Sequence, residues 1–514
     1  MPPDASGLNA TKQPSASAPR SGPRRVVYIV VDGMSREALE QVTASGRAPA
    51  LDFLRRKGTY TRDFVATFPT ITPAATASLI TGATPAEHGI PGMCWYDRDA
   101  QRFVNYGQSP RAAIVEGIKQ VVEDFLENLN SKHLDPRVQT LHESLHELGR
   151  DSASVNYMIF RGPHTHRLEP NLIQRLLFRK SLPESLPGPK EHYFADVVSG
   201  PSDACSKMLS PRGAAKRIGA TDGWAACVTR ELLERDAADM ILFYLHENDH
   251  SSHRTGPTSQ VDSLAEADKH IAHVLDAFDS WERALEEVGW VVAADHSQTP
   301  IADDDDHILD FADLLDEFSQ VKPDSGKEPF EDNDVACAGN GRVGFVYLNE
   351  TRKERLRAPV VEALLRERGI DQVMWREGDS YVVRSDRGTV RFCEAQGEGV
   401  VDERGNKWTL EGELAAIDGE VDGNEVITPT YPLAMWRIKS ALDLDRMGDL
   451  VVTTKLTYEL SDLAGADHRG GGDHASLHAQ DSIVPFISTL GKIPRRASTV
   501  DVAPHILEHF RAFR

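Results

Sequence analysis

One short stretch of the sequence combines a hydroxyl group with the start of a helix. Thr72 is followed at once by Pro73 and then by a run of small residues that are compatible with a helix. Threonine is a preferred N-cap and proline is tolerated at the first helical position, so the pattern predicts Thr72 at a helix N-terminus. The helix dipole favours an anion there, either a bound phosphate or a developing alkoxide. The alternative for Thr72 is an ordinary helix start without chemistry.

Carboxylates and imidazoles follow several predicted strands and turns. They are Asp32, Asp249 with His253 four residues later, the adjacent pair Asp295 and His296, and His474 in a glycine-rich turn. Mixed carboxylate and imidazole ligands suit zinc, whereas magnesium and calcium prefer oxygen ligands alone. The set predicts a site for two divalent metal ions, with zinc as the best fit. For Asp32 taken alone, a role as a helix cap is equally consistent with its position.

The elements that would bring these residues together are buried strands alternating with helices. Continuous apolar runs predict three strands buried on both faces of a mainly parallel sheet: Val26–Val31, Ile241–Leu245 and Gly289–Ala294. Helices are predicted between them, including one from about Ser259 to Phe278. This order predicts an α/β, doubly wound fold. Ligands of such sheets gather at the carboxyl ends of the strands, where three of the carboxylates stand.

The joint pattern resembles the alkaline phosphatase superfamily, and within it the type I phosphodiesterase and nucleotide pyrophosphatase branch. The motifs that carry the resemblance occur in the family's order: Asp32-Gly33, Thr72 in a Pro-Thr-x-Thr turn, Thr81-Gly82, His88-Gly89-Ile90, Asp249 with His253, Asp295-His296, and His474. The resemblance covers about Val26 to Gly107 and the three later motifs. It implies an alkaline-phosphatase-like core.

The resemblance also implies a role for each motif residue. One metal ion would be held by Asp249, His253 and His474, and the other by Asp32, Asp295 and His296. Thr72 would contact the second ion and act as the nucleophile, giving a phospho-threonine intermediate that a hydroxide then hydrolyses. His474 fits the family's spacing better than His478, which is expected to lie behind the ligands or in the core.

The implied activity is hydrolysis of a phosphodiester or a nucleotide pyrophosphate, with a small-molecule phosphoester as the substrate. The phosphodiesterase branch usually has an asparagine that donates to a phosphoryl oxygen at the position of Met93, which cannot donate. Arg161 is a candidate to grip phosphoryl oxygens instead, and a surface salt bridge is its alternative.

Other activities fit parts of the sequence. Trp95-Tyr96-Asp97 resembles a variant of the family that is a phosphomonoesterase. A phosphonate hydrolase of the same superfamily and a catalytically inactive binding module are further alternatives. A sulfatase is disfavoured because Thr72-Pro73-Ala74 lacks the Cys/Ser-x-Pro-x-Arg setting that the resembling enzymes need.

The organisation of the chain is predicted from composition and from the density of short strands. Residues 1–24 are rich in Pro, Ser, Ala and Gly and predict a disordered leader. Residues 25–338 would form the metal-dependent core, with a cap inserted at about 111–220. Short strands predict a β-rich insertion or subdomain over 339–432. Residues 433–514 would return to the core, beginning with a strand over Leu450–Thr454 and carrying the last metal ligand.

Charge and cysteine usage limit the partners and the compartment. The chain has 57 Lys and Arg against 79 Asp and Glu, a formal net charge of -22, which disfavours binding to a nucleic-acid polymer. No segment has the ~18 apolar residues of a membrane helix, and no signal-peptide core is present. The five cysteines are scattered and predict free thiols of a reducing compartment. A cytoplasmic location is therefore expected.

Overall fold

The computed structural model describes residues 23–168, 182–194, 198, 205, 221–322, 330–462, 465, 467–494 and 496–512. Two large sheets organise this part of the chain, a central sheet of seven strands and a second sheet of ten. The predicted disordered leader lies almost entirely in residues 1–22, outside the described residues.

The central sheet is mainly parallel. In order across the sheet its strands are Thr59–Val65, Ile483–Ser488, Val288–Ala293, Arg25–Val31, Met240–Leu245, Ser152–Val155 and Glu191–Tyr193. The last five run parallel to one another, and Ile483–Ser488 is antiparallel to both of its neighbours. Strands that come later in the chain lie on both sides of Arg25–Val31 in the sheet. The predicted α/β, doubly wound fold is thereby confirmed.

The three strands at the middle of this sheet are buried along their length. Every residue from Val26 to Val31 is at most 1% exposed, which is why the run is apolar on both faces. Val26 pairs with Gly289 on one side and with Met240 on the other, so the three parallel strands are in step. Their carboxyl ends therefore lie at one edge of the sheet.

Helices connect and cover the strands. The principal ones are Arg36–Ala44, Pro49–Lys57, Thr72–Thr81, Leu141–Glu147, Asp222–Glu234, Glu247–Thr255, Gln260–Leu275, Trp281–Glu287, Lys353–Arg366, Ala434–Leu442 and Val502–Arg511. The long helix predicted after Ser259 is confirmed as Gln260–Leu275. Residues 110–133 are also helical, with π-helical stretches at Ala113–Gly117 and Asp124–His133.

The second sheet is almost entirely antiparallel and is built mostly from the region predicted to be rich in short strands. Its order is Val335–Asn340, Val343–Leu348, Leu450–Thr454, Ile370–Glu377, Ser380–Ser385, Gly388–Glu394, Lys407–Gly412, Val400–Val401, Glu425–Ile427 and Glu420–Asp422. The assignment of Leu450–Thr454 to the core is wrong, because this strand pairs with Val343–Leu348 and Ile370–Glu377 inside the second sheet. An apolar run of five residues fits either sheet, and only the pairing partner decides.

The region predicted as a cap contributes to the central sheet itself. Ser152–Val155 pairs with Met240–Leu245, and Glu191–Tyr193 pairs in turn with Ser152–Val155. A continuous insertion over about 111–220 is therefore wrong, since these strands and the helix before them extend the core. A hairpin of His164–Arg167 with Ser185–Gly188 lies between the two strands along the chain. Residues 169–181 and most of 195–220 lie outside the described residues.

The cysteines differ from the expectation of five free thiols. Cys205 and Cys227 form a disulfide, with Cα atoms 5.8 Å apart, whereas Cys94, Cys337 and Cys393 are free. The spacing of 22 residues between the paired cysteines resembles no short motif, so the sequence offered no sign of the bond. The inference of a reducing compartment loses this support. No helix within the described ranges has the length and apolar character to cross a membrane.

Candidate active site

The predicted metal ligands meet at the carboxyl edge of the central sheet. Asp32, Asp295 and His296 offer ligand atoms within 4.8 Å of one another, and we name them the strand-end group. His253, Asp473 and His474 form a second such set, the loop group. Asp249 lies between the two groups. It forms a further set with His296 and His474, and its Oδ2 lies 3.2 Å from Nε2 of His253.

The carboxylates of the strand-end group have one oxygen anchored and one free. The Tyr244 hydroxyl donates to Asp32 Oδ2, and the backbone N–H groups of Gly33 and His296 donate to Asp295 Oδ1 at 3.2 and 3.0 Å. Asp32 Oδ1 and Asp295 Oδ2 are buried and have no hydrogen-bond partner among the described residues. Buried carboxylate oxygens rarely stay unpaired. Two such atoms turned toward one imidazole fit a bound cation.

The separations within the strand-end group match those of metal ligands. Nε2 of His296 lies 3.3 Å from Asp32 Oδ1 and 3.7 Å from Asp295 Oδ2. Two ligands that each bond zinc at about 2.0–2.1 Å in a tetrahedral arrangement are roughly 3.3 Å apart. The residues present therefore fit a divalent ion at this position without a large rearrangement.

All three ligand histidines present the same ring nitrogen to the centre. The other nitrogen, Nδ1, lies 2.8 Å from the Gly472 carbonyl in His253, 3.1 Å from the Ser297 carbonyl in His296, and 2.8 Å from the Thr70 carbonyl in His474. A carbonyl can only accept, so each Nδ1 carries a proton, and Nε2 is the ring nitrogen that can bind a metal ion. Such carbonyl partners fix the tautomer that a metal-binding imidazole needs.

The glycine-rich turn before His474 allows a close approach to the helix that carries His253. A Cβ on Gly471 would lie 1.9 Å from the His253 carbonyl oxygen, far inside van der Waals contact. Any other residue at this position would push the turn away from the helix. Gly471 therefore brings His474 and Asp473 up to His253.

Thr72 is the first residue of the helix Thr72–Thr81, and Ile71 occupies the N-cap position. The predicted helix is confirmed, but Thr72 is its first helical residue and not the expected N-cap. The Thr72 hydroxyl lies 3.2 Å from Nε2 of His296, a distance that also matches two ligands of one ion. The helix is held in place by the Tyr157 hydroxyl, which donates to the Thr76 carbonyl at 2.7 Å.

The electrostatics of the site reflect three carboxylates in one buried space. Burial raises the pKa of Asp32, and the neighbouring Asp295 and Asp249 raise it further. Burial lowers the pKa of His296, but Asp295 and Asp32 outweigh this effect and raise it to about 10. Burial and the adjacent His296 lower the pKa of His474 to about 3. Positive charge is therefore favourable at the strand-end group, where a cation would relieve the repulsion between carboxylates.

A model of the type I phosphodiesterase / nucleotide pyrophosphatase family matches residues 26–476. The chain belongs to this family. The resemblance seen in the motifs is thereby confirmed, and membership indicates a phosphoester hydrolase of the alkaline phosphatase superfamily.

Solved structures of this superfamily share the fold. Phosphonoacetate hydrolase from Sinorhizobium meliloti 1021 is 17% identical, with a TM-score of 0.57 over 96% of each chain. Murine ectonucleotide pyrophosphatase / phosphodiesterase 5 is 12% identical, with a TM-score of 0.53 over 94% of this chain and 95% of that one. The human counterpart of the murine protein is 11% identical, with a TM-score of 0.53 over 94% and 95%.

Arg161 has its partners inside the protein. Its guanidinium pairs with Glu143 at 3.1 Å and donates to the carbonyls of Leu134, Asp135 and Val138. These contacts match the salt-bridge alternative and leave the guanidinium committed to the loop before the helix Leu141–Glu147. The predicted role as a phosphate ligand would require it to leave these partners.

Met93 and His478 also have defined places. The Met93 backbone N–H donates to Asn340 Oδ1 at 2.8 Å, so the second sheet fixes the chain at the position where relatives are expected to have asparagine. His478 caps the short helix Ala479–Ser482 by accepting from the Gln480 N–H. It belongs to none of the ligand sets found in the described chain.

Sequence reasoning missed two residues that contribute to the site. Tyr244 is the last but one residue of its strand, and its hydroxyl contacts Asp32. Asp473 precedes His474 as Asp295 precedes His296, and in both pairs the histidine N–H bonds to Oδ1 of the preceding aspartate, at 2.8 and 3.0 Å. The repeated Asp-His pair was the available signal for Asp473.

Proposed function

We propose that the protein is a two-metal hydrolase that cleaves a phosphodiester or a nucleotide pyrophosphate bond through a phospho-threonine intermediate. Thr72 is the nucleophile in this proposal. The two divalent ions, with zinc as the best fit, would be held by Asp249, His253 and His474 and by Asp32, Asp295 and His296, the second with Thr72.

The observation that carries the proposal is the position of the Thr72 hydroxyl. It lies at the N-terminus of a ten-residue helix, 3.2 Å from Nε2 of His296 and beside unpaired carboxylate oxygens. Helix N-termini favour the negative charge of a phosphoryl group. A threonine in an ordinary helix start would have no reason to face a buried set of metal ligands.

When bound, the two ions would activate the Thr72 hydroxyl and a water molecule and would offset negative charge on the phosphoryl oxygens. The residues themselves orient the reaction. The Nδ1 bonds of the three histidines fix their rings, and the bond from Tyr157 to the Thr76 carbonyl holds the helix that aims Thr72. Burial of Thr72, which is 8% exposed, limits water around the attacking oxygen.

The reaction then has two displacements. The Thr72 hydroxyl loses its proton to solvent, its oxygen bonds to phosphorus, and the bond from phosphorus to the leaving oxygen breaks. Water then attacks the phospho-threonine, the bond from phosphorus to Thr72 oxygen breaks, and the threonine is regenerated with a proton. The substrate is a small-molecule phosphoester.

The methionine at position 93 is the reason to retain two alternative activities, phosphomonoester hydrolysis and phosphonate hydrolysis. Its thioether accepts only weakly and cannot donate to a phosphoryl oxygen, although family phosphodiesterases are expected to have a donor there. A phosphomonoesterase or a phosphonate hydrolase would place different demands on this position. The inactive binding module has less support, because Thr72 and all six implied ligands are retained.

The test compares substrates and variants on the zinc-reconstituted protein. A bis-aryl phosphodiester, an aryl phosphomonoester and phosphonoacetate are assayed with wild type, Thr72→Ala and the control Thr81→Ala, which changes a half-buried threonine at the far end of the same helix. We expect the diester to be cleaved fastest and Thr72→Ala to lose at least ~10³-fold in kcat/KM, with Thr81→Ala close to wild type.

Other outcomes decide between the alternatives. Preference for the monoester or for phosphonoacetate would move the protein to the corresponding alternative. Full activity in Thr72→Ala would overturn the nucleophile assignment. Two bound zinc ions with no cleavage of any of the three would contradict the proposed phosphodiesterase.

A further inference from the structure

A fourth set of potential ligands lies next to the loop group. Glu459, His468 and Asp473 offer ligand atoms within 4.8 Å of one another, and we name them the outer group. Nδ1 of His468 lies 3.0 Å from Glu459 Oε2 and 3.7 Å from Asp473 Oδ2. These separations bracket the roughly 3.3 Å expected between two tetrahedral zinc ligands. The His468 ring packs on the ring of His253, with centroids 4.2 Å apart.

Asp473 has one oxygen turned to each group. Its Oδ1 accepts the His474 N–H at 2.8 Å and lies 4.0 Å from Nδ1 of His253. Its Oδ2 faces the outer group and has no hydrogen-bond partner in the part of the chain that the structure describes. The residue is only 2% exposed. A buried carboxylate oxygen that is aimed into a set of ligand atoms and left unpaired points to a missing cationic partner.

No lysine or arginine among the described residues balances the charge of the outer group. Glu459 is fully buried, like Asp473. Within the described residues, the ion pairs of these two carboxylates are with His468 and His253, and none is with Lys or Arg. Two buried carboxylates without a fixed positive charge are costly. A proton on His468 or on Glu459, whose pKa burial raises to about 7, or a bound cation must offset them.

Gly341, in the turn between the first two strands of the second sheet, leaves room for the Asp473 carboxylate. Gly341 has a φ of +67°, and a Cβ there would lie 2.3 Å from Oδ2 and 2.5 Å from Oδ1 of Asp473. Only glycine permits this approach without displacing the carboxylate. The main chain of Gly341 thus shapes the space on this side of Asp473, and His468 is the side chain that faces Oδ2 among the described residues.

We propose that the outer group is a third divalent-cation site, with Glu459, His468 and Asp473 Oδ2 as protein ligands. The ion neutralises the two buried carboxylates and leaves His468 as a neutral imidazole. Asp473 then bridges the loop group and the outer group through its two oxygens. This inference does not depend on the proposed reaction, because Glu459 and His468 take no part in it.

The test is a metal count on purified, chelator-stripped protein reloaded with zinc and freed of unbound metal. Elemental analysis compares wild type with Glu459→Gln and with His468→Gln, two variants that keep side-chain size. The control is His307→Gln, which removes a histidine that pairs with an exposed aspartate, Asp304, outside every ligand set of the described chain. Circular dichroism checks that each variant is folded.

We expect about three zinc ions per chain in wild type and in the control, and about two in each outer-group variant. Zinc titration calorimetry should lose one binding step in the same variants. A wild-type count of two that neither variant changes would overturn the proposal and leave protons to balance the charge. A count of three that persists in both folded variants would also overturn it, by placing the extra ion elsewhere. A wild-type count below two would contradict the proposed two-metal site as well.

Discussion

The strand-end group and the loop group offer the same kinds of ligand on different supports. Asp32 and Asp295 follow adjacent parallel strands, and Asp295 and His296 are fully buried. In the loop group, His253 comes from a short helix and its side chain is 18% exposed. His474 comes from a glycine-rich turn that is held by contacts with the second sheet.

Because their supports differ, we expect the two groups to tolerate the substitution of a ligand to different degrees. Side chains on the ends of buried strands are held in place by the sheet. A ligand on a helix or turn close to water can be replaced in part by a water molecule or by a neighbour, and Asp473 lies 4.0 Å from His253. We expect the strand-end group, which also contacts Thr72, to be the more demanding of the two.

The largest expected effect is at Asp295. Asp295→Asn should lower kcat/KM for the preferred ester by at least ~10³-fold, whereas His253→Gln should lower it by only ~10–10²-fold. Burial raises the pKa of Asp295 against the opposing effect of His296, and Asp249 raises it further. The neutral asparagine should therefore not lower the melting temperature. Steady-state kinetics and thermal unfolding measure both. Equal losses in the two variants would remove the distinction between the groups.

A second effect concerns the support of the loop group. The side chains of Arg342 and Asp481 form a fully buried ion pair at 2.6 Å. The backbone N–H of Arg342 donates to the His474 carbonyl at 2.9 Å. Arg342→Met leaves Asp481 unpaired and should lower the free energy of unfolding by about 3–5 kcal/mol. Arg366→Met, which breaks an exposed pair with Glu317, should change it by less than about 0.5 kcal/mol. Denaturant unfolding distinguishes the two.

The same ion pair predicts a pH dependence. Burial alone raises the pKa of Asp481, but Arg342 and hydrogen bonds from Ser476 and Thr299 lower it below its usual value. The stabilisation is therefore fully present above the ordinary aspartate pKa of about 3.9 and is lost as pH falls through the lower folded-state pKa. Acid unfolding curves of wild type and Arg342→Met should converge in that range. Curves that stay parallel throughout would contradict this assignment.

The smallest expected effect is at Tyr244, which supports the strand-end group. Tyr244→Phe removes the hydroxyl that donates to Asp32 and should weaken zinc binding by ~10–100-fold. Tyr28→Phe is the matched control, because the Tyr28 hydroxyl is also buried and has no hydrogen-bond partner in the described chain. Competition with a chelator measures the affinities. A similar loss in both variants would indicate a general effect of the sheet.

Sequence reasoning succeeded where the local pattern allows one solution. The run Val26–Val31 is apolar without alternation and ends in Asp32-Gly33, which fits a central parallel strand and little else. It failed where several partners satisfy the same pattern. Leu450–Thr454 suits either sheet, and Ser152–Val155 joins the central sheet although its region was predicted to form a cap. The pairing of Cys205 with Cys227 leaves no local trace.

The sequence by itself determined the kinds of ligand, their order and the strands that precede them, because apolar periodicity and helix starts are local properties of the chain. Only the tertiary structure decided which carboxylates share one imidazole, that Arg161 is committed to Glu143, and that Asp473 stands between two groups. These facts depend on contacts between residues 18 positions apart, as for Arg161 and Glu143, or hundreds of positions apart, as for Thr72 and His296. Such contacts follow from how the helices and strands pack, and no short stretch of sequence encodes them.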